Sequence, residues 1–382
     1  MRPRASHLVG VGGAGMSGLA RLAAQAGYRV SGTDREESPT LEALRALGVR
    51  AGAGHAAEAL SREVDAVVVS TAIRPDNPVL VAARERGLPV LHRADLLAEL
   101  MEGRRGLAVS GAHGKSTTSA MLAVALGGAS ACIGAEVPGG AGTGAAWGEG
   151  PWFVAEADES DRSLLRLSPE AAIVTNVDHD HHATYATFDE VREVYRAFLA
   201  RLPADGLLVV GPDEEARGVA PAAACAVRLV GPAPGEWCRP ERSGSRWDLV
   251  LAGGGRVPLP LAVPGAHNAA NAACALALAE WCGVPLEEGA RRLAGFSGVG
   301  RRFELRGEAG GVRVVDDYAH HPAEIWATLS AARESHDGRV VVVFQPHLYS
   351  RTRALARELG EALGGADLVI VTSPALLASK RP

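Results

Sequence analysis

The feature that most constrains this chain is a glycine-rich turn placed between an apolar strand and a helix. The turn reads Gly-Ala-His-Gly-Lys-Ser-Thr over residues 111–117 and follows the predicted strand at 107–110. Backbone N–H groups around such glycines can cradle phosphates, Lys115 can reach the β- and γ-phosphates, and the Ser116 hydroxyl can ligate magnesium. The general phosphate-loop pattern has a further glycine where Val109 stands here. The strand and helix on either side still predict a phosphate-binding loop on a parallel α/β sheet.

The lysine content makes this loop more informative. The chain has only two lysines, Lys115 and Lys380, although lysine and arginine together number 39. Any chemistry that needs a lysine in the body of the chain must therefore use Lys115.

A second glycine-rich turn lies near the N-terminus, after a predicted strand at 7–9. It reads Gly-Val-Gly-Gly-Ala-Gly over residues 10–15 and fits G-x-G-x-x-G, and Asp34 follows at nearly the spacing of a ribose-binding acid. Glycines in this pattern let the backbone approach a diphosphate at the start of the following helix. A tight strand-to-helix turn without a ligand has the same pattern, and Asp34 also fits a cap or turn residue. The turn indicates nucleotide binding and leaves the plainer interpretation open.

Length and composition fit a protein of several globular domains. At about 100–200 residues per domain, 382 residues suggest two or three domains, and 47% of the residues are hydrophobic. Strands alternate with helices along the chain, and a third glycine-rich turn occurs at 295–300. The pattern predicts an α/β fold of three consecutive units, separated near residues 106 and 296.

Several classes of protein and partner are disfavoured. No run reaches the roughly 18 apolar residues of a membrane-spanning helix. The net charge is −5 without a long basic run, which disfavours nucleic acid as a partner. The five cysteines include no Cys-x-x-Cys pair and form no disulfide framework. We expect a cytoplasmic protein, monomeric or homodimeric, that binds neither membranes nor nucleic acid.

Two polar segments follow predicted strands of the second unit. The segment 156–161 carries four acids after a strand at 152–155, where carboxylates near a phosphate loop can hold magnesium. A solvated acidic loop would explain most of these acids individually. The segment 178–182 contains three histidines after a strand at 171–175, but no cysteine or second cluster supports a closed zinc site. We predict that one histidine serves a magnesium or phosphate site and that the others lie at the surface.

Further polar segments adjoin predicted elements later in the chain. His267, Asn268 and Asn271 open a helix at 265–282; capping explains one asparagine, and the second suggests a nucleotide contact. Three more segments lie beside predicted strands: 300–304, 316–322 and 345–351. Ligands bind at strand ends in α/β sheets, so three such segments in succession favour a binding site over surface or core residues.

In this order, the segments resemble the Mur ligase family over nearly the whole chain. The motifs that carry the resemblance lie at 10–18, 111–117, 156–161, 175–185, 264–271, 298–304, 316–322 and 345–352. The resemblance implies three α/β domains. These are a Rossmann-like UDP-sugar-binding domain at 1–105, a central phosphate-loop domain that binds ATP at 106–295, and an incomplete Rossmann-like C-terminal domain at 296–382.

The resemblance also implies a reaction. An ATP-dependent ligase of peptidoglycan synthesis would phosphorylate the carboxylate of UDP-N-acetylmuramate, and the amine of L-alanine would attack the acyl phosphate. ATP and Mg²⁺ would both be required. Two alternatives stay open, namely a recycling ligase that joins a tripeptide to the same UDP-sugar and a UDP-sugar-binding protein with weak or no ligase activity. An oxidoreductase built on the first turn would leave the Lys115 loop unexplained.

By the same resemblance, residues of all three domains take part. The catalytic residues would be Lys115, Glu156, His181 and Asp317, and the metal ligands would be Ser116, Glu156 and His181. The ATP-binding residues would be Gly111, Ala112, His113, Gly114, Lys115, Ser116, Thr117, His267, Asn268, Asn271 and Arg302. The residues that bind the UDP-sugar or the amino acid would be Gly12, Gly13, Gly15, Met16, Ser17, Asp34, Tyr318, His320 and Arg351.

Three departures from the family pattern matter. Ala112 and Ser116 stand where the family usually has threonine, although serine keeps the hydroxyl. Leu348 replaces an arginine, which removes a cation near the amino-acid site and predicts weak saturation by L-alanine. The chain ends at Pro382, soon after a predicted strand at 367–371, and this predicts a shortened third domain.

Overall fold

A computed structural model describes residues 4–138, 144–182, 184–233, 235–244 and 246–373. Over these ranges the chain forms three successive α/β domains, as the alternation of strands and helices predicts. In this part of the chain, no helix combines the length and the apolar character needed to cross a membrane.

The first domain is a five-stranded parallel sheet with strand order β3-β2-β1-β4-β5. Its strands are β1 (Ala5–Val9), β2 (Arg29–Asp34), β3 (Arg50–Ala53), β4 (Ala66–Val69) and β5 (Val90–His92). Its helices are α1 (Ala14–Gln25), α2 (Pro39–Ala46), α3 (Pro78–Glu85) and α4 (Arg93–Met101). The strand order reverses between β1 and β4, so the glycine turn after β1 lies at a switch point, where open α/β sheets bind ligands.

The central domain is built on a seven-stranded sheet of order β12-β11-β10-β6-β9-β7-β8, in which only β7 and β8 pair antiparallel. These strands are β6 (Arg105–Ser110), β7 (Ser130–Cys132), β8 (Ala145–Ala146), β9 (Trp152–Glu156), β10 (Ala171–Val174), β11 (Leu207–Val210) and β12 (Ala226–Leu229). A small antiparallel sheet follows, made of β13 (Cys238–Ser243), β14 (Arg246–Leu251) and β15 (Arg256–Leu259). The helices are α5 (Lys115–Leu126), α6 (Phe188–Leu199), α7 (Glu214–Val219), α8 (Ala266–Trp281) and α9 (Leu286–Leu293).

The third domain combines two pairs of strands with three helices in the described residues. The antiparallel pair is β16 (Glu304–Ala309) with β17 (Val312–Asp316), and the parallel pair is β18 (Val341–Phe344) with β19 (Leu368–Val371). The helices are α10 (Pro322–Ser335), α11 (Tyr349–Ala354) and α12 (Ala356–Leu363). A small core joins them, formed by Ile325, Leu329, Phe344, Leu359, Ala362 and Leu363.

Two helices of the central domain bring the phosphate loop against the start of α8. Both α5 and α8 are largely buried, and the buried residues of α8 are mostly alanine, whose small side chain lets neighbouring helices approach closely. A Cβ atom at Gly114 would lie 2.9 Å from Asn271 Oδ1. The first turn of α8 therefore lies directly beside the start of α5.

Most predicted elements are confirmed, and the differences have physical reasons. The helix after the first glycine-rich turn begins at Ala14, inside the G-x-G-x-x-G pattern, because Gly13 has extended backbone and the helical conformation follows at once. The region 211–263 contains α7 as well as the strands β12 to β15. Helix α6 is not among the predicted elements, although its buried residues recur at the spacing of an amphipathic helix.

Candidate active site

The phosphate loop takes its path from two glycines. The φ angles of Gly111 and Gly114 are +141° and +80°, which L side chains rarely adopt. A Cβ atom at Gly111 would lie 2.0 Å from Thr175 Oγ1, so the loop passes directly over the end of β10. Thr175 Oγ1 donates to the His113 carbonyl at 2.7 Å, and the His113 N–H donates to Asn176 Oδ1 at 2.8 Å. Side chains that follow β10 thus fix the loop in front of α5.

Lys115 lies folded into this loop. Its ammonium donates to the carbonyls of Gly111 at 2.6 Å and Ala112 at 3.1 Å and forms an ion pair with Glu159 at 2.9 Å. Burial opposes protonation of Lys115, but the neighbouring carboxylates of Glu159, Asp158 and Glu156 outweigh it and raise the pKa. The loop therefore holds a fixed positive charge, which suits a developing phosphoryl anion.

Glu159 lies in the predicted acidic segment but is absent from the predicted site residues. It is 2% exposed and bridges two predicted catalytic residues, because its Oε1 also lies 3.1 Å from His181 Nε2. A buried acid is expensive unless it is paired, so a charged Glu159 requires these partners. The available signal was its position three residues after Glu156, within the same acidic segment.

The interpretation of the acidic segment as a solvated loop is wrong for most of its acids. Asp158 and Asp161 form ion pairs with Arg93 of the first domain at 2.9 and 3.3 Å. Glu156 ends β9, and its Oε2 accepts the N–H of Gly134 at 2.9 Å. The segment therefore links the first domain to the phosphate loop.

His113 connects the phosphate loop to the third domain. Its Nε2 lies 3.3 Å from Asp178 Oδ2, and its Nδ1 lies 3.4 Å from Glu324 Oε1 at the start of α10. Burial opposes protonation of His113, but the hydrogen bonds with Asp178 and Glu324 outweigh it and raise the pKa to about 9. The imidazolium is thus an ionic contact between the two domains.

The same histidine belongs to a group of possible metal ligands. Among the described residues, His113, Asp178 and His321 have ligand atoms within 4.8 Å of one another. The two imidazole rings lie 4.7 Å apart and are tilted by only 30°. Both ring nitrogens of His113 face carboxylates, those of Asp178 and Glu324, and its raised pKa keeps both nitrogens protonated, so His113 offers no lone pair to an ion. The contacts within this group are therefore hydrogen bonds and ion pairs.

The other two histidines of the segment 178–182 are not free surface residues as predicted. His179 and His182 are both half-buried, and His182 Nδ1 lies 3.3 Å from His179 Nε2. The prediction of a surface position is wrong because the two rings pack on each other and the His179 ring stacks on Phe188 of α6.

A cavity of about 500 Å³ opens between the central and third domains, beside the phosphate loop. It is lined by predicted ATP-binding residues of both domains: His113, Gly114, Ser116, Thr117, His267, Asn268, Asn271 and Arg302. Burial lowers the pKa of His267, so its ring is neutral and suited to contact with a base. Asn268 Nδ2 donates to the Pro264 carbonyl at 2.7 Å, so one hydrogen bond of this side chain is made within the local turn.

Asp317 lines the same cavity and organises the segment that carries Arg302. Its carboxylate accepts the backbone N–H groups of Phe303 and Ala319, each at 2.7 Å. Arg301 and Phe303 have φ of +57° and +51°, so Arg302 stands between two residues in a strained conformation. Burial is the largest influence on Asp317 and raises its pKa. Part of its role is therefore to shape the backbone around Arg302.

Of the three residues predicted to bind the amino acid, two lie together and the third is engaged elsewhere. Tyr318 and His320 lie together, with ring centroids 5.0 Å apart, and the guanidinium of Arg301 lies 4.6 Å from the Tyr318 ring. Arg351, however, is buried in an ion pair with Asp180 of the central domain. Leu348 precedes α11 with a φ of +68°. Weak saturation by L-alanine stays a prediction.

The glycine turn of the first domain is built differently from the phosphate loop. Gly13 and Gly15 are exposed, and the N–H of Gly12 donates to Asp34 Oδ2 at 2.7 Å. Asp34 therefore holds the turn itself, in agreement with the plainer interpretation of that acid. Met16 is 5% exposed, so its side chain belongs to the core and only its backbone could face a ligand. Ser17 Oγ donates to the Ala14 carbonyl at 3.1 Å.

The geometry defines a three-domain α/β protein whose central phosphate loop faces a cavity closed by the third domain. Three family profiles match the chain: the Mur ligase family catalytic domain at 5–105, the Mur ligase middle domain at 149–279, and the Mur ligase glutamate ligase domain at 301–381. The chain belongs to the Mur ligase family.

Relatives with known names are similar over nearly the whole chain. UDP-N-acetylmuramate–L-alanine ligase of Streptomyces coelicolor is 48% identical over 378 residues, which cover 96% of this chain and 81% of the relative. The enzyme of the same name from Kineococcus radiotolerans is 50% identical, with 96% and 80% covered.

Among solved structures, the UDP-N-acetylmuramate–alanine ligase of Thermotoga maritima is 29% identical with a TM-score of 0.82, covering 98% of this chain and 86% of that chain. A murein peptide ligase of Psychrobacter arcticus shares the fold with a TM-score of 0.76 at 23% identity, covering 97% and 90%.

Proposed function

We propose that this chain is an ATP-dependent ligase that joins L-alanine to the carboxylate of UDP-N-acetylmuramate through an acyl phosphate. The observation that carries the proposal is the Lys115 loop facing a cavity that Arg302 and Asp317 complete from the third domain. Named relatives 46–50% identical to this chain bear the name of that reaction. Phosphoryl transfer of this kind depends on alignment and charge neutralisation, which such a cavity can supply.

Three residues fit the magnesium that such a reaction requires. β6 and β9 are neighbours with Val109 opposite Glu156, so Glu156 and the loop that carries Ser116 follow adjacent strand ends. Within the described ranges Glu156 forms no ion pair, and it is half-buried. Hydroxyl and carboxylate oxygens are preferred magnesium ligands, and the imidazole of His181 is less usual. When bound, Mg²⁺ would neutralise and align the phosphates of ATP.

The residues of the chain supply the remaining requirements. Lys115 and the backbone N–H groups of its loop would neutralise the transferring phosphoryl group. Ser116 lies in the first turn of α5, where the helix dipole also favours anions. His267, Asn271 and Arg302 would contact the nucleotide from opposite walls of the cavity. Tyr318 and His320 would face the amino acid, and the first-domain turn would hold the UDP-sugar.

The test is phosphate release from ATP in the presence of UDP-N-acetylmuramate, with and without L-alanine, with the product identified by mass. The proposal predicts release that depends on both substrates and a product heavier by one alanine residue. A parallel reaction with L-alanyl-D-glutamyl-diaminopimelate in place of L-alanine distinguishes the recycling alternative. Turnover with the tripeptide but not with L-alanine would contradict the proposal. Binding of the UDP-sugar without turnover of either amine substrate would also contradict it.

The magnesium assignment has its own test. Glu156→Ala should weaken binding of Mn²⁺ to the ATP complex, measured by electron paramagnetic resonance, as well as raise the Mg²⁺ concentration needed for turnover. Glu170→Ala is the matched control, because Glu170 pairs with Arg105 at the exposed start of the neighbouring strand. A wild-type metal titration in Glu156→Ala would transfer the role to Asp158 or Glu159.

A further inference from the structure

A buried ion pair joins the third domain to the central domain. Arg351, on α11, places both its Nε and its Nη2 2.7 Å from Asp180 Oδ1. Only 7% of the Arg351 side chain and 4% of the Asp180 side chain are exposed. A buried charge without its partner is strongly unfavourable, so each side chain requires the other whenever the domains are closed.

Asp180 is surrounded by positively charged or basic groups from both domains. His181 Nε2 and His320 Nε2 lie 3.8 and 3.9 Å from Asp180 Oδ2, and His347 Nδ1 lies 3.4 Å from Arg351 Nη1. Arg351, His320 and His347 all belong to the third domain, so most of the basic groups around this carboxylate come from that domain.

The position of the pair in the chain connects two parts of the site. Asp180 is adjacent to His181, whose ring contacts Glu159 beside Lys115. Arg351 stands three residues after Leu348, in the segment assigned above to the amino-acid side. While Arg351 is bound to Asp180, its Nε and Nη2 are committed and cannot together clamp a carboxylate of a substrate.

We propose that Asp180 is a positioning residue, which holds Arg351 and so fixes the third domain and the His181 segment against each other in the closed enzyme. The role in turnover rests on the proposed function, whereas the contact itself does not. Arg351 then acts as the partner of Asp180 and not as a direct ligand of the amino acid.

The first test measures the contact without turnover. Hydrogen exchange of residues 176–182 is followed by mass spectrometry in the wild type and in Arg351→Gln. Because the substitution lies in the other domain, faster exchange of this segment is expected only if Arg351 holds it. Arg357→Gln is the matched control, since Arg357 forms an exposed pair with Glu361 within α12. Unchanged exchange in Arg351→Gln would overturn the proposal.

The second test is a double-mutant cycle with Asp180→Asn and Arg351→Gln, each examined by circular dichroism for folding. We expect each single variant to lower kcat/KM for L-alanine about 10- to 100-fold, because one charge is left buried and unpaired. KM for ATP should change much less, and the double variant should be no worse than the poorer single variant. Multiplicative losses would overturn the proposal.

A lowered KM for L-alanine in Asp180→Asn would also overturn the proposal. It would mean that Arg351, once released from Asp180, binds the amino acid directly. If the wild type shows no L-alanine-dependent turnover, the proposed function fails, and hydrogen exchange still decides the contact.

Discussion

The two strand–turn–helix motifs of this chain look alike in sequence but are supported in different ways. In the first domain, Gly13 and Gly15 are exposed and the side chain of Asp34 holds the N–H of Gly12. In the central domain, the phosphate loop is half-buried and is held by Thr175, Asn176 and Lys115. The glycine pattern alone does not distinguish an open turn from an enclosed one.

The difference concerns how much of each turn depends on distant segments. Asp34 ends β2, the strand next to the turn, and its contact with Gly12 closes a local unit. The phosphate loop is tied to Glu159, to the residues after β10 and, through His113, to Glu324 of the third domain. We infer that the enclosed loop is sensitive to changes across the molecule and that the open turn is sensitive to local changes only.

The largest effect is expected for Lys115→Ala. Loss of the loop's charge should lower turnover by at least about 10³-fold, because charge neutralisation dominates phosphoryl transfer. Binding of UDP-N-acetylmuramate, measured by calorimetry, should remain nearly unchanged, since the first turn lies in another domain. A comparable loss of UDP-sugar affinity in a folded variant would contradict the separation of the two turns.

Adding one methyl group to each turn compares them directly. In Gly111→Ala, the Cβ would meet Thr175 Oγ1 at 2.0 Å, at a φ of +141°. We expect a loss of about 3–5 kcal/mol in unfolding free energy or a disordered loop with weak ATP binding.

In Gly13→Ala, the nearest atom is the Gly10 carbonyl at 3.4 Å, and φ is −67°. We expect a change in stability within about 0.5 kcal/mol, with any loss confined to UDP-sugar binding. Chemical denaturation followed by circular dichroism compares the two variants. Equal destabilisation would show that the two turns are enclosed alike.

The fold and the ligand-facing segments can be predicted from this sequence because local signals determine them. Buried apolar strands, glycines at turns and the lone central Lys115 are all visible within short windows. The partners of Lys115, Asp34 and Arg351 are not visible, since they depend on which strand ends meet and how the third domain approaches. Glu159 and Asp180 lie within recognised segments, but only the folded chain shows which acid meets which cation.

The enclosed loop should respond to pH through His113. Its pKa is raised from 6.5 to about 9, so its stabilising contribution is complete below pH 6.5 and is lost as the pH rises through about 9. The loss is at most about 3 kcal/mol. His7 and His55, near the first turn, have lowered pKa values and stay neutral over this window.

We therefore expect the Tm of the wild type to fall between pH 6.5 and 9 by more than that of His113→Gln. His336→Gln is a control for a histidine outside the site, in the exposed loop after α10. If the Tm of the wild type and that of His113→Gln fall equally between pH 6.5 and 9, the titration of His113 does not stabilise the enclosed loop.

Removing one charge from the acid that supports each turn gives a smaller contrast. Glu159→Gln loses the ion pair with Lys115 and the charge facing His181, so kcat should fall about 10- to 100-fold. Asp34→Asn keeps a carbonyl oxygen that can accept the Gly12 N–H, so KM for the UDP-sugar should change by only about threefold. Steady-state kinetics of both variants, with thermal melts as a check on folding, tests the contrast. A larger change in the kinetics of Asp34→Asn than in those of Glu159→Gln would contradict the contrast between the two turns.

The smallest effect is expected at Leu348, the residue before α11, as Gly114 is the residue before α5. Both have a positive φ, +68° and +80°, but ψ is 123° at Leu348 and −4° at Gly114, and Leu348 carries a side chain in a rarely populated region. Leu348→Gly removes strain of about 1–2 kcal/mol and adds chain entropy to the unfolded state worth about 0.5–1 kcal/mol. The variant should therefore be as stable as the wild type or more stable by up to about 1.5 kcal/mol, measured by chemical denaturation. A loss above about 2 kcal/mol would mean that contacts of the half-buried leucine, and not the backbone, hold this turn. Side-chain contacts would then stabilise the turn before α11, whereas the phosphate loop requires glycine for its backbone conformation.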